Sequence, residues 1–375
     1  MKYKVQSFFA KNHLLILFIV WFIVQAMLLF RYGIITTNEA TKYIREANNL
    51  LHHKNFSEQK YIFYSSYIFI HIIFIKLGFE IGGVYIFQLL VNLIATFLFY
   101  KTALNVYKNN GVAFIAAFLL VVCFSWQYWT VCLYTESFFC SLLIIFTYFL
   151  FGINKNQQLK YVYAALVFVI LLFARPAGIF LIPVIICVLF LKLIELKKIK
   201  LALLFIVVLC TGFIYLLFYE MRSASSFNFI KPFVEHNIIC DIPGKPINDS
   251  NSYNNSLSGI LLYVRKNPID FLQLCSLRFS AFWGLTRPYY SEAHNWVLRL
   301  FFYPLYFFAL IKLKQQLKLN RYFILYCLSI IIVFTISVML TCDEWSNRFI
   351  MPVIPVIIWL ASYGLFAVFK KKKTL

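Results

Sequence analysis

The chain has 375 residues, 62% of them hydrophobic and only 13% charged, with a mean hydropathy of +0.79, whereas a soluble domain carries about 25% charged residues. A water-soluble fold is excluded, because no core of this length hides so much apolar surface. The net charge of +21 builds no Lys/Arg stripe on a soluble module, so it argues for membrane topology and anionic lipid and against nucleic acid as a partner.

Lys2, Lys4 and Lys11 precede a first apolar stretch at 13–30. It is longer than a signal-peptide core, and Phe30, Arg31 and Tyr32 make a poor cleavage site, so it reads as a retained transmembrane helix. Next, Ala40, Tyr43, Ile44, Ala47 and Leu51 recur at helical spacing. Residues 39–51 therefore read as an amphipathic helix on the outer interface, with Asn38 as its N-cap and Glu39 as its first residue. A short segment at 62–77 carries Ser65, Ser66, His71 and Lys76. Apolar segments then follow at 83–100, 111–128, 137–151, 161–174, 177–191, 201–219, 296–311, 322–341 and 349–369.

If every apolar segment crossed, the lysine clusters at 192–200, 312–321 and 370–373 would lie outside, against the positive-inside rule. Taking 62–77 as a re-entrant or interfacial helix removes the conflict. The expectation is an all-α integral membrane fold of about ten transmembrane helices, a single polytopic domain over 1–375 with both termini cytoplasmic. Its long outer loops are 31–82 and 220–295, and no separate soluble domain is expected. On this map every acid except Glu195 and every arginine except Arg321 faces outward. The nine cysteines form no CxxC pair. Cys240 and Cys342 both fall outside and are placed to pair, although free thiols are the expectation.

Chemistry then concentrates on the outer face. Arg175 sits in a tight Ala-Arg-Pro turn and Arg348 at the mouth of the last span, where a buried cation calls for a partner, and the arginine fork suits phosphate. Glu39 at a helix start stays ionised and is a candidate general base or metal ligand, with a plain helix cap as the competing explanation. Glu136 stands at the top of an apolar helix behind Trp126, Tyr128 and Trp129, where a carboxylate needs a partner. Asp343 and Glu344, close to Arg348, fit either an internal ion pair or the same site. Arg287 and His294 are further candidates in the second long loop.

The motifs Asn38-Glu39 with Tyr43 and Ala47, Thr135-Glu136-Ser137, Arg175-Pro176, and Asn347-Arg348-Phe349 leading to Pro355 occur in this order along most of the chain. Together they resemble the GT-C superfamily of membrane glycosyltransferases, and within it the mannosyltransferase and aminoarabinose transferase group. The resemblance implies an inverting hexosyl or pentosyl transferase that takes a polyprenyl-phosphate sugar as donor. It implies a lipid, glycan or protein as acceptor, at the extracytoplasmic face of the cell (inner) membrane. It also implies Glu39 and Glu136 as catalytic residues, both able to hold a divalent cation (Mg or Mn), and Arg175 and Arg348 as ligands of the donor phosphate. One departure stands out: Asn38 occupies the position where many members carry the aspartate credited with catalysis. Glu39 serves in its place, or the match is shifted by one, or this copy is impaired.

Two other classes compete. An O-antigen-type polymerase or ligase would place its important arginines and histidines in 220–295, and would not use the acids of the first loop. A transporter or lipid flippase would place polar sites at mid-membrane, often in repeated halves, whereas these spans are nearly free of charge and the halves differ.

Overall fold

The computed structural model describes residues 12–152, 157–195, 230–244 and 253–371, with isolated positions between 197 and 215. The expected span at 201–219 lies largely outside the described residues. Among those described, the chain is helical, with two isolated bridges, Ile35 to Cys132 and Ile239 to Asp343, and no named strand.

α1 (His13–Tyr32) stops at Gly33, whose φ of 64° is a turn geometry glycine adopts readily and whose N–H reaches Leu29 O at 2.8 Å. α2 (Glu39–His53) is the expected amphipathic helix. A 3-10 turn (Gln59–Tyr64) leads into α3 (Ser65–Lys76), whose twelve residues measure about 18 Å, against about 30 Å of hydrocarbon. α4 (Glu80–Tyr107) is the longest helix among the described residues.

α5 (Asn110–Val122) corrects the segment expected at 111–128: it ends at Val122, Cys123 is extended, and α6 (Phe124–Gln127) with the turn to Thr130 continues at 64°. Polar side chains stabilise the break. Gln127 Nε2 donates to Leu120 O at 3.0 Å, Gln25 Nε2 to Gln127 Oε1 at 2.7 Å, and Thr130 Oγ1 to Gln25 Oε1 at 2.5 Å. Backbone groups released in an apolar setting are thereby satisfied again.

α7 (Thr135–Phe151) is buried on nearly every side over its first three turns, as suits an apolar helix at the centre of a bundle. α8 (Gln157–Leu172) follows, then a 3-10 turn (Pro176–Phe180) and α9 (Leu181–Glu195). The second long loop contains α10 (Lys231–Val234), α11 (Leu257–Lys266) and α12 (Pro268–Gly284). α13 (Glu292–Leu310), α14 (Leu313–Leu319), α15 (Arg321–Leu340) and α16 (Ile354–Lys371) complete the order. α16 starts five residues later than the apolar pattern at 349 suggested, because a 3-10 turn (Arg348–Ile350) and further turns precede it.

Among the described residues, α1, α4, Pro176–Glu195 and α15 are each long and apolar enough to cross a membrane; the bent pairs α5 with α6 and α13 with α14 would make six. α7, α8 and α16 are apolar but shorter.

The chain divides into two compact units. The first holds residues up to Ile182 with Leu305–Cys327 and Ile354 onward. There α4 packs on α3, α5 and α7, and α5 on α1 and α16. Trp21 Nε1 bonds Asn92 at 2.8 Å, Trp359 stacks on Phe99, and the Tyr107 hydroxyl donates to Gln316 at 2.8 Å. The second unit holds Pro183–Pro304 and Leu328–Val353. Its described core gathers Ile230, Phe233, Val234, Tyr263 and Leu274.

Candidate functional site

In the first unit, two helix starts are drawn together by backbone. Ile35 N–H donates to Val131 O at 2.8 Å, Leu133 N–H to Ile35 O at 3.0 Å, and the Tyr134 hydroxyl to Thr37 O at 3.2 Å. The strip before α2 is thus docked onto the strip before α7, which places the first residue of one helix and the first turn of the other on the same neighbourhood. Gln88 of α4 holds that strip from below. Its Nε2 lies 2.9 to 3.1 Å from the carbonyls of Trp129, Thr130 and Cys132, and its Oε1 accepts the Tyr67 hydroxyl at 2.9 Å.

Glu136 is 1% exposed and its Oε1 lies 2.8 Å from Arg175 Nη1. Arg175 precedes a proline, which forces it into extended backbone, and Gly178 closes the turn where an added Cβ would meet Leu171 O at 2.7 Å. The partner that Glu136 and Arg175 each required in the sequence is therefore the other.

Glu39 is a quarter exposed and pairs with Lys42 at 2.8 Å, while the Tyr43 hydroxyl lies 3.5 Å from its Oε2. Tyr43 is buried against Tyr64 and Tyr67. Burial pushes its phenol well above the ordinary range, and Tyr64, Glu136 and Glu39 push the same way against Arg175. It stays protonated, with its hydroxyl turned toward Glu39.

Asn38 corrects the expectation of a side-chain cap. Its φ of 55° turns the chain into α2 and its side chain makes no capping bond; instead Thr41 Oγ1 donates to Asn38 O at 2.6 Å. Sequence reasoning also missed Glu46, fully buried on α2, which accepts from Ser57 N at 2.9 Å and Ser57 Oγ at 2.5 Å. Its place one turn from Tyr43, on the face otherwise lined by alanines, was the available signal.

In the second unit, the charges near 343 form the internal ion-pair network that was one of the two expectations. Arg287 Nη2 is bonded to Asp343, and Arg287 Nη1 lies 2.9 Å from Ala281 O. Arg348 Nε lies 3.1 Å from Glu344 Oε1, and Glu344 Oε2 also accepts Ser346 N at 2.7 Å. His294 stacks flat on Tyr290 with centroids 4.5 Å apart. The hydroxyls of Tyr289 and Tyr290 both donate to Trp345 O at 2.8 Å. Arg278, unremarked in the sequence, is fully buried and donates to the carbonyls of Asn237, Met339 and Pro232 at 2.8 to 3.1 Å. Burial pulls it down to about 10. Cys240 and Cys342 correct the expectation of free thiols: they form a disulfide with Cα atoms 5.2 Å apart, beside the bond from Cys240 N to Asp343 O at 2.7 Å.

Among the described residues no three His, Cys, Asp or Glu side chains converge as metal ligands. Glu136, already paired with a guanidinium, is a poor second ligand beside Glu39.

No family model matches the chain, and no curated protein matches it. Solved structures do. An oligosaccharyltransferase from Archaeoglobus fulgidus, tethered to an acceptor peptide containing the NVT sequon, superposes with a TM-score of 0.56 at 15% identity, over 97% of this chain and 50% of that one. The archaeal oligosaccharyltransferase AglB from the same organism, in complex with an inhibitory peptide and a dolichol-phosphate, gives 0.54 at 14% identity, over 97% and 51%. The chain shares the fold of these solved structures, and it spans about half their length.

Proposed function

We propose that this protein is an inverting glycosyltransferase that moves a hexosyl or pentosyl unit from a polyprenyl-phosphate-linked donor to a lipid, glycan or protein acceptor on the extracytoplasmic face of the cell membrane. The observation that carries the reading is the backbone docking of two helix starts: Glu39, a quarter exposed, opens α2, and Glu136, buried and paired with Arg175, stands in the first turn of α7. The GT-C fold supports it. In the proposed topology α1, α4, α5 with α6, α7, α8, 176–195, 201–219, α13, α15 and α16 cross, α3 does not, and both termini are cytoplasmic.

Glu39 takes the proton of the acceptor hydroxyl as its oxygen bonds to the anomeric carbon. The bond from that carbon to the phosphate oxygen breaks, and its electron pair leaves on a lipid phosphate that needs no protonation. Arg175 supplies positive charge for that phosphate. Glu136 fixes Arg175 and is a positioning residue here. Magnesium or manganese is bound in many phosphate sites through one or two carboxylates and the substrate's own phosphates. Glu39 is the residue that would hold such an ion, which would supply Lewis-acid charge, and no step above runs through it.

The test incubates purified protein with a panel of polyprenyl-phosphate sugars and acceptors. Release of the lipid phosphate with formation of an inverted glycoside is expected; no release from any donor, with transfer only from pyrophosphate-linked glycans, would overturn the proposal.

A further inference from the structure

We propose that α11 and α12, helices of the second long outer loop, lie in the outer leaflet of the membrane rather than in water. The inference goes beyond the transferase chemistry and rests only on the proposed topology. The inward side of these helices is fixed: Tyr263 and Leu274 bury in the core of the second unit, and Arg278 is tied to three carbonyls. The outward side is therefore defined as well, and it is apolar. Leu261 and Leu262 on α11, and Ile269, Leu272, Leu277 and Phe279 on α12, are all exposed, Leu272 at 65%.

Between them on α12 the exposed positions are Gln273, Ser276 and Ser280, polar but uncharged. A helix of a hydrated loop would put charge there, and soluble proteins rarely leave apolar patches of this extent open. The exposed side of α1, with Phe18, Phe22 and Met27, has the same character.

Charge appears at one end, where half-buried Asp270 also lies in the first turn of α12. Arg265 and Lys266 are exposed in the last turn of α11, where the helix dipole favours cations, and Lys266 lies over the Tyr253 ring at 5.6 Å. An apolar face with cations at its edge suits acyl chains below and anionic headgroups beside them, the long side chains reaching to the phosphates. In an isologous contact with a second copy, the same two cations would be repeated on both partners. The loop is also flanked in sequence by the apolar stretch 201–219 and by α13, so both its ends start at the membrane.

The experiment uses the full chain in vesicles of phosphatidylcholine and phosphatidylglycerol. One arm carries a diazirine in the acyl chain of the lipid and maps carbene adducts by mass spectrometry; the other maps hydroxyl-radical oxidation from the aqueous phase. Adducts on Leu261, Leu272 and Phe279 at a density comparable to Phe18 and Phe22, with little oxidation there, are expected. Oxidation of these residues without carbene adducts would show a solvated face and overturn the proposal. Protection from both reagents would show a protein partner or second copy on the face, and would overturn it equally.

Discussion

At the scale of single residues, the two glutamates that look alike in sequence are set apart by burial. Glu39→Gln removes a charge at an open rim, so folding should survive while turnover falls by about 10² to 10⁴, the usual worth of a general base. Near-normal transfer in that variant would reduce Glu39 to a helix start. Glu136→Gln strips Arg175 of the partner it meets at 2.8 Å, and breaking a buried pair costs about 3 to 5 kcal/mol. Its thermal midpoint in detergent should drop, which Glu39→Gln should not cause. Tyr43→Phe keeps the ring contacts and loses the hydroxyl, and is expected to lower turnover with little loss of stability. His71 on α3 carries the acid dependence: burial lowers it to about 4. The folded state holds it neutral, so stability is full above its ordinary value near 6.5 and is lost as pH falls from there toward 4, by about 1.4 kcal/mol per unit. His71→Phe should flatten the melting midpoint between pH 6.5 and 4.5; an unchanged slope would assign the acid sensitivity elsewhere.

At the scale of elements, what was legible followed from periodicity and charge. The recurrence of Ala40, Tyr43 and Ala47 gave α2 because those side chains do face the core. The lysine distribution required one apolar segment not to cross, and 62–77 was the weakest of them; the twelve-residue α3 occupies most of it. If α3 stays on the outer side, cysteines introduced at 78–82 should be labelled from outside and those at 101–110 only from inside; outside labelling of both would sink the topology. The break after Val122 was illegible, because Gln25, which helps close it, lies about a hundred residues away in sequence. Asn38 misled for a related reason: its residue type suits a cap, but it takes a positive φ and its side chain makes no capping bond. The Glu136 partner was half legible, since two residues each in need of a counter-charge were visible while their pairing was not. Gly178 is a simpler case. A Cβ there meets backbone at 2.7 Å, so Gly178→Ala should destabilise the turn that presents Arg175 and weaken donor use.

At the scale of the whole molecule, composition established the membrane class, and motif order pointed to a GT-C fold that no single motif could carry. Which units the chain divides into was not legible, because α13 and α15 each run from one into the other. The disulfide was partly legible: Cys240 and Cys342 stood out as the two outer cysteines, but their pairing depends on Ile239 and Asp343 being neighbours in space. Its residues are 102 apart in sequence, and closing a loop of about 100 residues is worth about 4.7 kcal/mol in the chain-entropy account. Reduction should therefore lower the unfolding midpoint, and an unchanged midpoint would count against a structural role. The same bond also bears on biogenesis. In the proposed topology the chain leaves the outer face after Cys240 through α13 and returns through α15 before Cys342. The two thiols can meet in an oxidising compartment only once that hairpin has been threaded. The disulfide then marks the hairpin as threaded, before α16 follows: a chain stalled with α15 unthreaded keeps both thiols, and a gel-shift reagent added during synthesis would count such chains.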